Sequence, residues 1–311
     1  MSKKVTIISP LYNEELNIIV FYQEVKKIVD HIDGYSFDFL FVDDGSKDKT
    51  AIVLDNLAVK NSDVKYLIFG RNFGKDIAIS AAIENIDDVD CIIVMDGDLQ
   101  HPPQYINQMI NEWNNGYKVV SGIRKSTEKS GFIRKSGSIV FYKIMNLISD
   151  TKVLNGITDF RLIDKQVLVE YRKFTERNRL FRGLIDWMQF DTAYVYFDAP
   201  ARINGESSFN LFSLIKLAIS SMTNFSLFPL KLIGYFGSIV SFIFGLLLIV
   251  MVTDRFILGF EHFSPLSFVV VVNTFLIGIL ASGLGLMAIY IGNIHKELQG
   301  RPLYILKEKK L

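Results

Sequence analysis

Cys91-Ile-Ile-Val-Met-Asp-Gly-Asp-Leu-Gln-His-Pro-Pro103 sets five apolar residues directly before an acidic turn and closes on a proline pair. A short apolar run without polar alternation suits a strand covered on both faces, as in a parallel sheet. Proline is tolerated in the first turn of a helix, so a helix is expected to begin at Pro102-Pro103. The same order of run, polar turn and helical segment recurs through the first 125 residues, with further runs at Val5–Ser9, Phe37–Val42, Val64–Phe69 and Lys118–Ser121. Between the first two runs, Ile18, Phe21, Val25, Ile28, Val29 and Ile32 recur at helical spacing and predict a crossover helix. The expected fold is a doubly wound α/β sheet, in which ligands bind beyond the carboxyl ends of the strands.

Polar residues gather at those ends: Pro10-Leu-Tyr-Asn-Glu-Glu15, Asp43-Asp44-Gly-Ser46, Arg71-Asn-Phe-Gly-Lys75 and Asp96-Gly-Asp-Leu-Gln-His-Pro-Pro103. No G-x-G-x-x-G or G-x-x-x-x-G-K-[ST] loop is present, so neither a dinucleotide cradle nor a P-loop is supported. Asp96, Asp98 and Gln100 offer hard oxygen ligands suited to Mg²⁺ or Mn²⁺, which usually bridge a few protein oxygens to substrate phosphates. An Asp-x-Asp pair alone is equally an ordinary acidic turn. Its place at the end of an apolar strand, opposite Asp43-Asp44, favours a site for a diphosphate leaving group.

The chain has 311 residues, half of them hydrophobic, a net charge of +1 and a mean hydropathy of +0.26, so its apolar excess has to be located. After residue 228 there are seven Lys/Arg and four Asp/Glu, a net +3 that leaves −2 for the rest. Leu232–Val252 and Phe263–Ile294 carry no charge, and each exceeds the roughly 20 residues that span a bilayer core. Two transmembrane helices are expected. Lys216, Lys231, Lys296, Arg301, Lys307, Lys309 and Lys310 flank the pair, whereas the loop Thr253–His262 holds Arg255 against Asp254 and Glu261; both termini are therefore expected in the cytoplasm. The apolar run after Lys3-Lys4 is too short for a cleavable signal. Phe209–Phe228, with Phe212, Ile215, Ile219, Met222 and Phe225 in one stripe, fits a helix at the membrane surface or one packed on the soluble domain. A single cysteine, Cys91, excludes an intramolecular disulfide framework and a multi-thiol metal site. The near-zero charge argues against a general nucleic-acid binder.

The four motifs, in this order, resemble the inverting family 2 glycosyltransferases of the GT-A fold, and more narrowly the polyprenyl-phosphate glycosyltransferases, the group of bactoprenol glucosyltransferases and dolichol-phosphate mannose synthase. The likeness continues through Thr158-Asp-Phe-Arg-Leu162, Arg179-Leu-Phe-Arg-Gly183 and Arg202-Ile-Asn-Gly-Glu-Ser-Ser208 into the two-helix tail. The resemblance implies a GT-A type mixed sheet over residues 1–208, a juxtamembrane helix over 209–228, a transmembrane hairpin over 229–294 and a basic cytoplasmic tail over 295–311.

It further implies that Pro10, Tyr12, Glu14 and Asp43 line the nucleoside pocket, with Lys75 and Asp96 also at the nucleotide sugar. Asp96, Asp98 and Gln100 would surround a Mg²⁺ or Mn²⁺ ion, and Asp159 takes the catalytic position. Asp44 and Ser46 are read instead as caps of a helix at Lys47. A lipid phosphate has a second pKa near 6 and is mostly dianionic at cytosolic pH, so Asp159 is better described as positioning than as an obligatory base. Arg124, Lys129 and Arg134, in a Ser/Gly-containing stretch, are candidate contacts for the acceptor phosphate or a merely solvated basic loop. Ile139–Ile148 would help admit a prenyl chain or belong to the core. Arg177, Arg179 and Arg182, in Thr175–Gly183, are left open among donor, lipid headgroup and neighbouring acids.

The expected activity is transfer of one hexose from UDP-glucose or UDP-N-acetylglucosamine to undecaprenyl or another polyprenyl phosphate at the cytoplasmic face of the plasma membrane. The product would serve cell-wall or surface-polysaccharide glycosylation. A Gln-x-x-Arg-Trp motif of processive synthases is absent. GDP-mannose is the alternative donor. Other acceptors, and an inactive scaffold recruiting a flippase or transferase, are the rival readings; the partners are nucleotide sugar, lipid phosphate and membrane, with a second copy of the chain also admitted.

Overall fold

The computed structural model describes residues 2–125, 156–177, 179–198, 290–295 and 298–311, with single positions between 253 and 287. Lys129, Arg134, the segments 139–148 and 209–228, the first apolar span and most of the second lie outside the described residues. The chain divides into two units, one of residues 1–146, 151–208 and 301–311, the other of 147–150 and 209–300. Among the described residues no helix is long and apolar enough to cross a membrane.

In the first unit, β1 (Lys3–Leu11), α1 (Ile18–Val29), β2 (Tyr35–Asp43), α2 (Thr50–Lys60), β3 (Val64–Phe69), α3 (Lys75–Asn85) and β4 (Cys91–Val94) follow in alternation. A 3₁₀ turn at Pro103–Tyr105 then leads into α4 (Ile106–Asn114), where the proline pair predicted a helix. After β5 (Val119–Arg124) come β6 (Ile157–Asp164), α5 (Lys165–Tyr171), α6 (Phe181–Trp187), β7 (Thr192–Phe197) and β8 (Leu306–Lys310). The sheet order is β7-β5-β6-β4-β1-β2-β3-β8. β1 to β4 are mutually parallel, β6 is antiparallel to both β4 and β5, and β8 is antiparallel to β3. The predicted mixed α/β sheet is thus observed, widened by three strands beyond the five apolar runs.

Burial explains the apolar runs. Ile7, Phe39, Phe41 and Ile93 join Phe21 and Val25 of α1 and Met109 and Trp113 of α4 in one continuous core. β4 is buried at every position, which is why Cys91–Met95 shows no alternation. β7 does alternate, with Ala193, Val195 and Phe197 buried and Tyr194 and Tyr196 exposed.

Three expectations change. α2 begins at Thr50, not at Lys47, and the residues before it bond to the turn after β1: Lys47 N donates to Asn13 Oδ1 at 2.9 Å and Lys49 N to Glu15 Oε2 at 2.8 Å. Those bonds clasp the turn after β1 onto the turn after β2. Asp44 caps no helix; its carboxylate accepts from Phe73 N at 2.6 Å and Gly74 N at 2.9 Å and so fixes the loop after β3. The segment 295–311, expected only as a basic tail, also supplies β8, so its last residues belong with the sheet.

Gly45 is the point where these turns meet. It adopts φ +67°, and a Cβ there would lie 2.4 Å from the carbonyl carbon of Arg71, against backbone that has no flexible end to move. Gly45→Ala combines a left-handed conformation, costing about 1–2 kcal/mol, with that clash. A loss of at least about 2 kcal/mol is expected, read as a thermal midpoint lower by about 5 °C in the purified full chain.

Candidate active site

The strand directions decide which side chains meet. The carboxyl ends of β1, β2, β3 and β4 lie along one edge, and antiparallel β6 begins at that same edge. Val94 stands opposite Arg161, so continuing past β4 reaches Asp96 while tracing β6 backward reaches Asp159. Lys75, the first residue of α3, stands between them: its ammonium lies 2.6 Å from Asp96 Oδ1 and 2.7 Å from Asp159 Oδ2.

Arg182 of α6 completes the group. Its Nη2 lies 3.0 Å from Asp159 Oδ1, its Nε donates to the same oxygen at 3.1 Å, and Nη1 donates to the Ile157 carbonyl at 3.1 Å. One turn further along α6, Asp186 receives the fully buried Arg161 through two bonds of 2.6 and 3.1 Å. Asp159 and Arg161 therefore share a face of β6 but pair outward with opposite charges on α6, and not with each other. Phe181 N, at the start of α6, donates to Asp76 of α3 at 2.8 Å and ties the two helices beside the site.

These pairings set the ionisation states. For Asp159, burial would raise the pKa, but Lys75 and then Arg182 more than offset it and hold the carboxyl well below the ordinary range. Asp96 is likewise lowered, with burial opposed by Lys75 and His101. Lys75 is held above its usual value because Asp96 and Asp159 outweigh its own burial. An aspartate so stabilised as an anion is a weak proton acceptor.

His101 is buried and stacks on Phe160 at 5.2 Å. Its Nδ1 accepts from Asp96 N at 3.0 Å, which leaves the ring proton on Nε2, 3.9 Å from Asp96 Oδ2. Burial lowers its pKa, so the imidazole is neutral. The turn it braces contains Leu99 at φ +58°, a conformation costing about 1–2 kcal/mol for a residue with a Cβ. Strain of that kind persists where the surroundings over-determine the backbone.

Of the residues singled out in the sequence, Lys75, Asp96 and Asp159 are in direct contact. Asp98 lies on the turn beside them and accepts from Gln100 N at 3.1 Å, so Gln100 is tied to it through its backbone. Pro10 lies near the carboxyl end of β1, opposite Val42 of β2, and Tyr12 and Glu14 stand on the turn after it; Tyr12 is exposed, and Glu14 accepts from Asn17 Nδ2 at 2.6 Å. Asp43 is buried and accepts from the amide and the hydroxyl of Ser46. Arg124 is exposed at the end of β5. Arg182 and His101 carry roles that sequence reasoning did not assign, although both sit inside the quoted motifs. Arg179, another arginine left open, donates to Glu84 at 2.7 Å and is structural.

Among the described residues no three His, Cys, Asp or Glu side chains form a metal cage. The donor set nonetheless fits Mg²⁺ or Mn²⁺. Asp96 and Asp159 face the cations Lys75 and Arg182, and Asp98 follows two residues after Asp96 on the same turn, so carboxylate oxygens stand beside the paired charges. Such ions commonly take one or two protein carboxylates and complete their shell with water and substrate phosphate.

Linkage fixes the pH window of this cluster. Asp159 is depressed below its unfolded value of about 3.9, so its stabilisation is complete above that pH and is lost as pH falls through the folded value. Lys75 is raised, so its share is complete below about 10.4 and is lost as pH climbs through its folded value. Stability is therefore expected to be flat between about pH 5 and 9 as far as this pair is concerned. Asp159→Asn should cost about 1–3 kcal/mol at pH 7, less than a fully buried pair because Lys75 and Arg182 are more than a third exposed. Thermal midpoints at pH 7 and pH 5 check this: the gap to wild type is expected to be the same at both.

The family model for glycosyl transferase family 2 matches residues 6–172, more than half of the chain and every residue of the cluster except Arg182. The uncharacterized glycosyltransferase YkcC of Bacillus subtilis is 35% identical over 308 residues, covering 97% of this chain and 93% of the relative. The bactoprenol glucosyl transferase of Shigella phage SfV is 34% identical over 310 residues, covering 99% of each. Among solved structures, mannosyl-3-phosphoglycerate synthase from Rubrobacter xylanophilus aligns with a TM-score of 0.51 at 17% identity over 70% of this chain and 71% of that one, a likeness of fold. A GT-A-like mixed sheet, an ion cluster at its carboxyl edge and relatives matched from end to end place the chain in glycosyl transferase family 2, as a glycosyltransferase.

Proposed function

We propose that this glycosyltransferase moves a single hexose from a nucleotide sugar, UDP-glucose or UDP-N-acetylglucosamine, to polyprenyl phosphate at the cytoplasmic face of the plasma membrane. The product would be used in cell-wall or surface-polysaccharide glycosylation. The observation that carries this reading is the extent of the likeness to the bactoprenol glucosyl transferase: it includes the apolar C-terminal third as well as the sheet. On this reading residues 1–208 are catalytic, 209–228 lie at the membrane surface, 229–294 form a two-helix hairpin and 295–311 return to the cytoplasm. Exposed Leu276, Leu280, Leu284, Met287, Ile291 and Ile294, all helical and spaced by three or four, support a lipid-facing stripe.

In the proposed reaction an oxygen of the acceptor phosphate attacks the anomeric carbon. The bond from that carbon to the donor diphosphate breaks, its electron pair leaves with the nucleoside diphosphate, and the configuration inverts. No proton has to leave, because a monoalkyl phosphate is mostly dianionic near pH 7. The depressed pKa of Asp159 agrees with this: it serves as a fixed anion that orients Lys75 and Arg182 at the phosphates. A divalent cation held by Asp96 and Asp98, when bound, would neutralise charge on the leaving diphosphate. Pro10, Tyr12, Glu14 and Asp43 are proposed for the nucleoside, and Arg124, Lys129 and Arg134 for the acceptor phosphate.

The test incubates the purified full chain with Mn²⁺ or Mg²⁺, undecaprenyl phosphate and a panel of radiolabelled nucleotide sugars. One UDP-sugar is expected to label the lipid; a product from GDP-mannose alone would replace the donor, and no product from any donor would overturn the activity. Asp98→Ala should lower the rate at least about 100-fold. An accessibility tag within residues 256–262 is expected outside the cytoplasm.

A further inference from the structure

The C-terminal segment contacts the donor side of the sheet through a series of defined interactions. Ile305 O accepts from Gly70 N at 3.0 Å, so the segment is bonded to the first residue of the loop after β3. The Tyr304 ring stacks on Phe69 at 5.2 Å and 15°, Phe69 meets Phe73 edge-on at 5.6 Å, and the Arg71 guanidinium lies 4.5 Å over Phe73. Asp44 then holds the amides of Phe73 and Gly74, and Gly74, at φ +102°, delivers the chain into α3 with Lys75 at its head.

Tyr304 is itself fixed. Its hydroxyl donates to Glu84 Oε2 at 3.0 Å and accepts from Asn85 Nδ2 at 2.9 Å, while Arg179 holds the other oxygen of Glu84. β8 continues the attachment: Glu308 meets the Tyr66 hydroxyl at 2.7 Å, and Lys309 donates to Asn85 Oδ1 at 2.9 Å. The β3–β8 register shifts between Ile68 and Phe69, at the carboxyl end of β3. Burial raises the Asp43 carboxyl, the Ser46 hydroxyl and amide pull it back, and Lys307 of β8 adds a smaller pull in the same direction, which brings the segment into electrical reach of the nucleoside side.

We propose that residues 304–310 complete the donor subsite, with Tyr304 as the positioning residue that sets the Arg71–Gly74 loop and, through it, the two cations Arg71 and Lys75. The proposal rests on the nucleotide-sugar reading above as far as the ligand is concerned; the coupling between Tyr304 and the loop does not. A loop carrying two cations for a diphosphate loses affinity when its backbone wanders, because the ordering cost is then met at the moment of binding. The segment thus acts on donor affinity, and the acceptor is untouched.

Two measurements on the full chain in detergent separate the possibilities. Amide exchange in peptides covering residues 70–75 is expected to quicken about tenfold in Tyr304→Ala, with peptides from β1 and β4 unchanged, and to stay at the wild-type rate in Tyr304→Phe, which keeps the stacked ring. UDP affinity by calorimetry should fall about tenfold in Tyr304→Ala and within twofold in Tyr304→Phe, and the polyprenyl phosphate KM should remain within twofold in both. Unchanged exchange at 70–75, or faster exchange spread evenly through the sheet, would overturn the positioning role. Normal loop coupling in a wild-type chain that binds neither UDP nor GDP would instead overturn the donor reading. Equal UDP affinity in wild type and Tyr304→Ala would overturn the role of the segment in the subsite.

Discussion

One ammonium group between two carboxylates organises the catalytic edge. Asp96 leaves β4 and Asp159 enters β6, and antiparallel pairing of those strands brings the two acids to one place. Like charges about 4 Å apart repel by about 4 kcal/mol at an effective dielectric constant of 20, so the pairing is tolerable only with a cation in reach of both. Lys75 supplies it at 2.6 and 2.7 Å. Because Lys75 is the first residue of α3, the loop before it has to end at a fixed point, and Asp44 and Gly45 serve that requirement from the neighbouring turn. Arg182 and the buried Arg161–Asp186 pair hold α6 against the same strand from the other side.

The arrangement also separates two roles that a catalytic aspartate can have. A base has to release and accept a proton near the working pH, and a carboxylate locked between an ammonium and a guanidinium cannot do so readily. What it can do is keep two flexible cations in a single geometry, a contribution made through orientation. An acceptor that arrives already deprotonated needs only that.

Much of this was legible in the residue order. The four apolar runs that became β1 to β4 are readable because their strands are buried on both faces, and the acids matter because each ends such a run. Pro102-Pro103 marked the approach to α4 for a purely local reason. Arg182 was harder: its partner is 23 residues away across a helix–strand contact, and an arginine among arginines carries no local sign of which one faces the site. The start of α2 was misplaced where residues 47–49 join the turn after β1 through Asn13 and Glu15, more than 30 residues earlier, a long-range contact that propensity does not register. β8 was illegible for another reason. Leu-Lys-Glu-Lys-Lys310 is exposed along most of its length and has neither apolar alternation nor turn signals; lysine-rich sequence is common on sheet edges, where it discourages pairing with other chains.

The late position of β8 in the chain has a consequence for biosynthesis. Tyr66 and Glu308 are separated by 242 positions, and the two long uncharged stretches lie between them. A nascent chain leaving the ribosome can form β1 to β7 early, yet β3 keeps an open edge until residues 306–310 emerge. Through that interval the unpaired edge is a template for stray strands, a hazard that chaperones or rapid engagement of the following apolar stretches would shorten. The sheet is completed only after both long uncharged stretches have been translated, so the order of synthesis delays completion of the β3 edge until the rest of the chain is made.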